Sequence, residues 1–199
     1  MGDLSWRFDE NEYTYVKEVL DSGFASGTSG NMNTRLERAF SERFDSKFAI
    51  TANSGTTTLH AALWALGVRH GDEVIVTPLT VISCMNAILY CNAIPVFADI
   101  DPDTFNIDPN SIRKCITSKT KAIMPVHLYG QVCNMTEICK IAKKYNLFVI
   151  EDAAQAIGSK FKKKPSGSFG KVGCFSAHPL KNLNACGDGG YITTDDKKI

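Results

Sequence analysis

No run of apolar residues approaches the roughly 18 that a membrane-spanning helix needs, so no membrane partner is expected. Net charge is also missing: 22 Lys and Arg face 21 Asp and Glu, for a formal +1. That balance argues against a nucleic-acid binder, which normally carries a basic excess or stripe. The seven cysteines are odd in number and none are paired as CxxC, so neither a zinc ribbon nor a disulfide framework is indicated. The opening MGDLSWRFDENEY has no basic patch followed by an apolar stretch, so no signal peptide is expected. Trp6 stands where a myristoylation signal wants Ser or Thr. Reduced thiols in a cytoplasmic protein are the resulting expectation. Low-complexity tracts, Pro-rich linkers and internal repeats are absent too. What is present suits a packed core: 44% of residues are apolar and 22% charged, too apolar for disorder.

The first 47 residues read as a helical segment. Tyr13, Val16, Val19 and Leu20 recur at helical spacing over Glu10 to Asp21, with Gly23 as a stop. Asn31 or Asn33 can cap a second helix carrying Leu36, Ala39, Phe40 and Phe44 on one face. The Gly/Ser loop GFASGTSGN between them is expected to be mobile or to face substrate.

From Phe48 the rhythm changes. Apolar runs at 48–51, 73–77, 94–99, 121–126 and 147–152 alternate with helical stretches at about 56–66, 83–90 and 135–144. Asn134 and Glu137 have the spacing of a capping box. Continuous β-branched runs between amphipathic helices predict an α/β fold, with a mainly parallel sheet covered on both faces. Strands are also expected at 171–176 and 190–194. Residues 48–199 thus form one large domain. Its end, GYITT followed by charged residues, looks like a strand entering another helix, so a C-terminal part is expected to be missing.

Ligands in such sheets bind beyond the carboxyl ends of the strands. Four of those ends carry chemistry. In ANSGTTTLHAALWAL, Ser-Gly-Thr-Thr runs straight into a helix, which suits a phosphate at the helix N-terminus or an ordinary N-cap. It has neither the GxGxxG of a dinucleotide fold nor the Lys of a P-loop. VIEDAAQAIG ends an apolar strand with Glu151 and Asp152, followed by Gln155; a cap, a ribose clamp and a metal ligand are all open for its acids. In CFSAHPLKNLNACGDGG, Lys181 has apolar neighbours in Leu180 and Leu183, and an apolar setting would make it an amine nucleophile. PVHLYGQ carries His127 and Tyr129. Histidines 60, 70, 127 and 178 are not spaced as metal ligands, so no metal is expected and structural or capping roles are.

SGTTTLHAALWALGV, GDEVIVTPLTVIS, IPVFADIDPDTFNID, PVHLYGQ, VIEDAAQAIGS and FSAHPLKNLNACGDGG, in this order, resemble the DegT/DnrJ/EryC1/StrS family. Its members are aminotransferases of fold type I, dependent on pyridoxal 5'-phosphate (PLP), that act on nucleotide-linked keto-sugars. The resemblance implies that Lys181 forms the Schiff base with PLP and shuttles the proton, and that Asp152 pairs with the pyridinium nitrogen. Gln155 would lie beside the PLP 3-hydroxyl. Gly55, Thr56 and Ser176 would cradle the phosphate, with Thr57 close by. Val81 stands where relatives place an aromatic residue that stacks on the ring. The implied reaction is transamination of a nucleotide-linked keto-deoxysugar at C3 or C4, with an amino acid such as glutamate as donor. Alternatives are a dehydratase of the same family, or a non-catalytic remnant that binds PLP or a partner. A homodimer is implied as well, with helix 83–90 and the loop after His127 as candidate interface.

Overall fold

The computed structural model describes residues 10–23 and 31–199. Most of the Gly/Ser loop (24–30) and the opening segment 1–9 lie outside the described residues. Two helices come first, α1 (Glu10–Asp21) and α2 (Met32–Arg43). β1 (Phe48–Ala52), α3 (Gly55–Ala65), β2 (Glu73–Val76), α4 (Ser83–Tyr90) and β3 (Ile94–Phe97) follow. Next are α5 (Pro109–Cys115), β4 (Thr120–Met124), α6 (Met135–Tyr145) and β5 (Phe148–Asp152). A short hairpin, β6 (Lys160–Phe161) with β7 (Lys164–Pro165), precedes β8 (Val172–Ser176) and β9 (Gly190–Thr194).

Among the described residues, seven strands form one sheet in the order β1-β9-β8-β5-β4-β2-β3. Pairing is parallel from β8 through β5, β4 and β2 to β3, while β9 runs antiparallel to both β8 and β1. The expected mainly parallel α/β sheet is therefore present. Alternate residues supply its two cores. Val74, Val76, Ala122, Met124 and Ile150 pack under α3 and α4, with Leu59, Leu63 and Ile88. Ile75, Ile123 and Val149 pack on the other face, with Ile112 of α5 and Ile138 and Ile141 of α6. Each fully buried Ile or Leu contributes about 2 kcal/mol from apolar area removed from water.

Local chemistry sets the helix ends. The Asp108 side chain accepts from Asn110 N–H and Ser111 N–H, and Pro109 occupies the first turn of α5. α5 was not among the expected helices because its seven residues, PNSIRKC, bury Ile112 alone. Asn134 caps α6 by accepting from Glu137 N–H, and Asn146 closes it in the left-handed conformation. The reciprocal half of the expected capping box is not made. The Glu137 carboxylate turns to Arg113 and Lys140 instead.

α2 differs from its expectation in two ways. Asn31 holds the N-cap position without a side-chain hydrogen bond. Of the expected apolar face, Phe40 and Phe44 enter the core, whereas Leu36 and Ala39 are exposed. The two phenylalanines join Phe175 and Tyr191 in an aromatic cluster, with Phe40 stacked on Tyr191 at 4.4 Å between centroids. Tyr13, Val16 and Leu20 of α1 are exposed.

Candidate active site

β5 ends in two acids, and the pleat sends them to opposite faces. Glu151 shares a face with Val149 and Asp152 shares one with Ile150. The two carboxylates consequently meet different surroundings.

Glu151 is completely buried. Its Oε1 accepts from Phe169 N–H and Gly170 N–H, both at 2.6 Å, and its Oε2 accepts from Gly167 N–H at 2.8 Å. His127 supplies a fourth partner at 2.9 Å. Because His127 Nδ1 accepts from Cys133 N–H, Nε2 carries the hydrogen and donates to Glu151. Gly167 (φ +80°) can be nothing larger: a Cβ there would sit 2.3 Å from the Phe175 ring. The histidine is structural, as expected. The Glu151 network was not foreseen, since its donors come from a loop 16 to 19 residues away.

Asp152 faces a cleft of about 330 Å³. The residue is 7% exposed, and its carboxylate meets a thiol and a backbone N–H. Oδ1 accepts from Ala154 N–H at 3.0 Å, and Oδ2 accepts from the Cys84 thiol at 2.9 Å. Burial first, and the Asp152 charge second, push the Cys84 thiol well above its usual range, so it stays protonated. Burial also raises Cys174, again reinforced by Asp152.

The same cleft is lined by Gly55, Thr56, Val81, Gln155, Ser176, His178 and Lys181. Ser54 caps α3, its Oγ accepting from Thr57 N–H, while Thr58 N–H goes to the Ser54 carbonyl. The remaining first-turn donors, on Gly55 and Thr56, have no partner within the helix. They form the positive end of α3 beside Ser176. A Cβ on Gly55 would stand 2.7 Å from the Ser176 Cβ, so only glycine lets α3 approach β8 this closely. The Gln155 Oε1 accepts from Tyr129 N–H at 3.0 Å, which leaves its NH2 as the end available to an anionic oxygen. Tyr129 itself has φ 51° and is 88% exposed.

Two expectations need correction. Thr57 does not line this cleft. Its hydroxyl donates to Asn53 Oδ1 at 2.7 Å, and it faces a groove with His60, Trp64 and Tyr90. The one-turn geometry of α3 rotates Thr57 away while keeping Thr56 in the cleft. The apolar setting expected around Lys181 is not found either. Leu180 is 81% exposed and Leu183 also reaches solvent, so the half-buried Lys181 is marked by its place on the cleft wall. Among the described residues, no three or more His, Cys, Asp or Glu are grouped to hold a metal ion. No helix among them is long and apolar enough to cross a membrane.

The profile of the DegT/DnrJ/EryC1/StrS aminotransferase family matches residues 7–199. A GDP-perosamine synthase from Caulobacter vibrioides is 48% identical over 193 residues, 97% of this chain and 52% of that protein. Among solved structures, an aminotransferase from Psychrobacter cryohalolentis superposes with a TM-score of 0.93 at 42% identity, over 96% of this chain and 48% of that one. The E. coli GDP-4-keto-6-deoxy-D-mannose-3-dehydratase with bound hydrated PLP superposes with a TM-score of 0.89 at 32% identity. That match covers 96% of this chain and 50% of the dehydratase. The chain spans about half the length of the curated relatives it matches.

Proposed function

Since the chain belongs to the DegT/DnrJ/EryC1/StrS aminotransferase family, we propose that it serves PLP-dependent transamination of a nucleotide-linked keto-deoxysugar. Amination is at C3 or C4, with an amino acid such as glutamate as donor. One observation carries the reading: Asp152, Lys181, Gln155 and the Gly55–Ser176 contact converge on one cleft.

These residues fit PLP. The Asp152 carboxylate has acceptor capacity beyond its thiol and N–H partners, which suits a cationic ring N–H. The Gly55 and Thr56 N–H groups and the Ser176 hydroxyl suit a phosphate at the end of α3. The Gln155 NH2 suits the 3-oxygen, and Val81 offers an aliphatic surface to the ring. When bound, PLP supplies an electron sink that lowers the barrier to proton removal next to the reacting carbon. Asp152 would hold the ring nitrogen protonated. The Lys181 Nζ would be the amine for covalent attachment and would serve as the proton carrier.

The resemblance to the dehydratase supports a second reading, dehydration of the sugar nucleotide. Some dehydratases of this family replace the lysine by histidine, so Lys181 favours transamination, and product analysis separates an amino sugar from a deoxy sugar. The working form is a homodimer. Ile82, Leu89 and Tyr90 on and before α4, with Tyr129 beyond β4, are exposed apolar surface, and a second copy would cover them.

Purified protein with PLP should show the visible band of a lysine-bound cofactor, lost on adding glutamate. Borohydride reduction and peptide mapping should place the pyridoxyl group on Lys181, and light scattering should give a dimer mass. Label on another lysine, or none at all, overturns the proposal.

A further inference from the structure

We propose that Cys84 is a positioning residue for Asp152: its thiol orients the carboxylate toward the cleft and sets how strongly that carboxylate holds a protonated ring nitrogen. The second half rests on the PLP reading above; the first half stands on geometry alone.

Cys84 lies in the first turn of α4, fully buried, 68 residues from Asp152 in sequence. Its Sγ is 2.9 Å from Oδ2, while Ala154 N–H holds Oδ1 at 3.0 Å. With one donor on each oxygen, the carboxylate cannot turn about its final torsion without losing a hydrogen bond. Thr80 Oγ1, 3.4 Å from the sulfur, holds the thiol from its other side. Lys181, His178 and Asp188 share the cleft with Asp152; the other ionisable groups around it are Cys174 on β8, and Glu151 with Cys133 on the far side of β5. Among the described residues, neither Cys174 nor Cys133 donates to Asp152.

The element matters as well as the position. A thiol is a weaker donor than a hydroxyl, so it fixes the direction of the carboxylate while withdrawing little of its charge. A carboxylate left rich in charge is the better partner for a cationic nitrogen. Because burial and the Asp152 charge both oppose ionisation of Cys84, the sulfur remains a donor throughout the working pH range.

The first measurement needs no cofactor. The infrared S–H stretch lies where few other protein groups absorb and moves with hydrogen bonding. The spectrum of wild type minus Cys84→Ala should show one band at the low frequency of a strongly bonded thiol, and Asp152→Asn should move that band upward. The second uses PLP. Cys84→Ala should weaken PLP binding about tenfold, the loss expected when a hydrogen bond to a charged group goes. It should also shift the pH midpoint of the visible lysine-bound band, and Cys84→Ser, which keeps a donor but draws more charge from the carboxylate, should bind PLP more weakly than wild type and more tightly than Cys84→Ala. An S–H band unmoved in Asp152→Asn overturns the geometric half. PLP affinity and midpoint unchanged in Cys84→Ala, or Cys84→Ser as impaired as Cys84→Ala, overturns the tuning role. If wild type itself binds no PLP, the functional reading and the tuning role fall together, and the S–H band still decides the Cys84–Asp152 bond.

Discussion

Glu151 and Asp152 are neighbours on β5, but the strand pleat delivers them to two regions with opposite logic. On the α5/α6 face, Glu151 is closed in by three backbone N–H groups and a histidine, with nothing left to offer a ligand. On the α3/α4 face, the described residues give Asp152 a thiol and one N–H, and it faces a cleft. A carboxylate whose acceptor sites are filled by the fold is a structural tie. One whose direction is fixed but whose capacity is spare is a binding group. Burial does not separate the two, since both are inside; donor count does.

That contrast predicts that the two acids fail differently. Asp152→Asn should leave Tm nearly unchanged but slow the half-reaction with glutamate by about 1,000-fold, roughly 4 kcal/mol of barrier. A neutral amide cannot hold the ring nitrogen protonated. Rapid-mixing absorbance checks the rate, and an undiminished one would break the comparison on this face. Glu151→Gln should do the reverse, costing about 3 kcal/mol of stability because an NH2 would then face backbone donors in a buried site. For a chain of this size that is roughly 9 °C in Tm by calorimetry, with the remaining folded protein still binding PLP. A Tm within a degree of wild type would show that the four donors contribute little. The smallest effect sharpens the cleft side: Gly55→Ala should lower stability by about 1–2 kcal/mol, because its Cβ forces α3 away from Ser176. PLP affinity should fall with it, read by titration of the visible band. Unaltered affinity would separate the α3–β8 approach from phosphate binding.

Much of this was legible beforehand. The apolar runs of β2, β4 and β5 are continuous because helices cover both faces, and that reading survived almost residue for residue. The places of Ser54, Gly55 and Asp152 at a helix start and a strand end were readable because these are written in adjacent residues, while the roles given to Gly55 and Asp152 came only from the family resemblance. Lys181 was picked out partly for a wrong physical reason, since the leucines beside it in sequence turn to solvent. Thr57 was drawn in because one residue along a helix is a rotation of about 100°, which sequence adjacency conceals. Helix α5 escaped because seven residues with one buried isoleucine make no periodic pattern, although Asp108-Pro109 is a readable start. Cys84 carried no signal whatever, as a lone cysteine in an apolar stretch looks like core.

By itself, the sequence determined the order of the parallel strands and their long helices, the cap at Asn134, and the residue types waiting at the strand ends. These depend on neighbours two to four positions apart, within reach of local backbone geometry. Only the tertiary structure decided which of two adjacent acids would be sealed and which left open. The decisive donors, Cys84 for Asp152 and His127 with Gly167 to Gly170 for Glu151, lie 16 to 68 residues away in the chain. They arrive there because packing a two-faced sheet brings different helices and loops against its two sides.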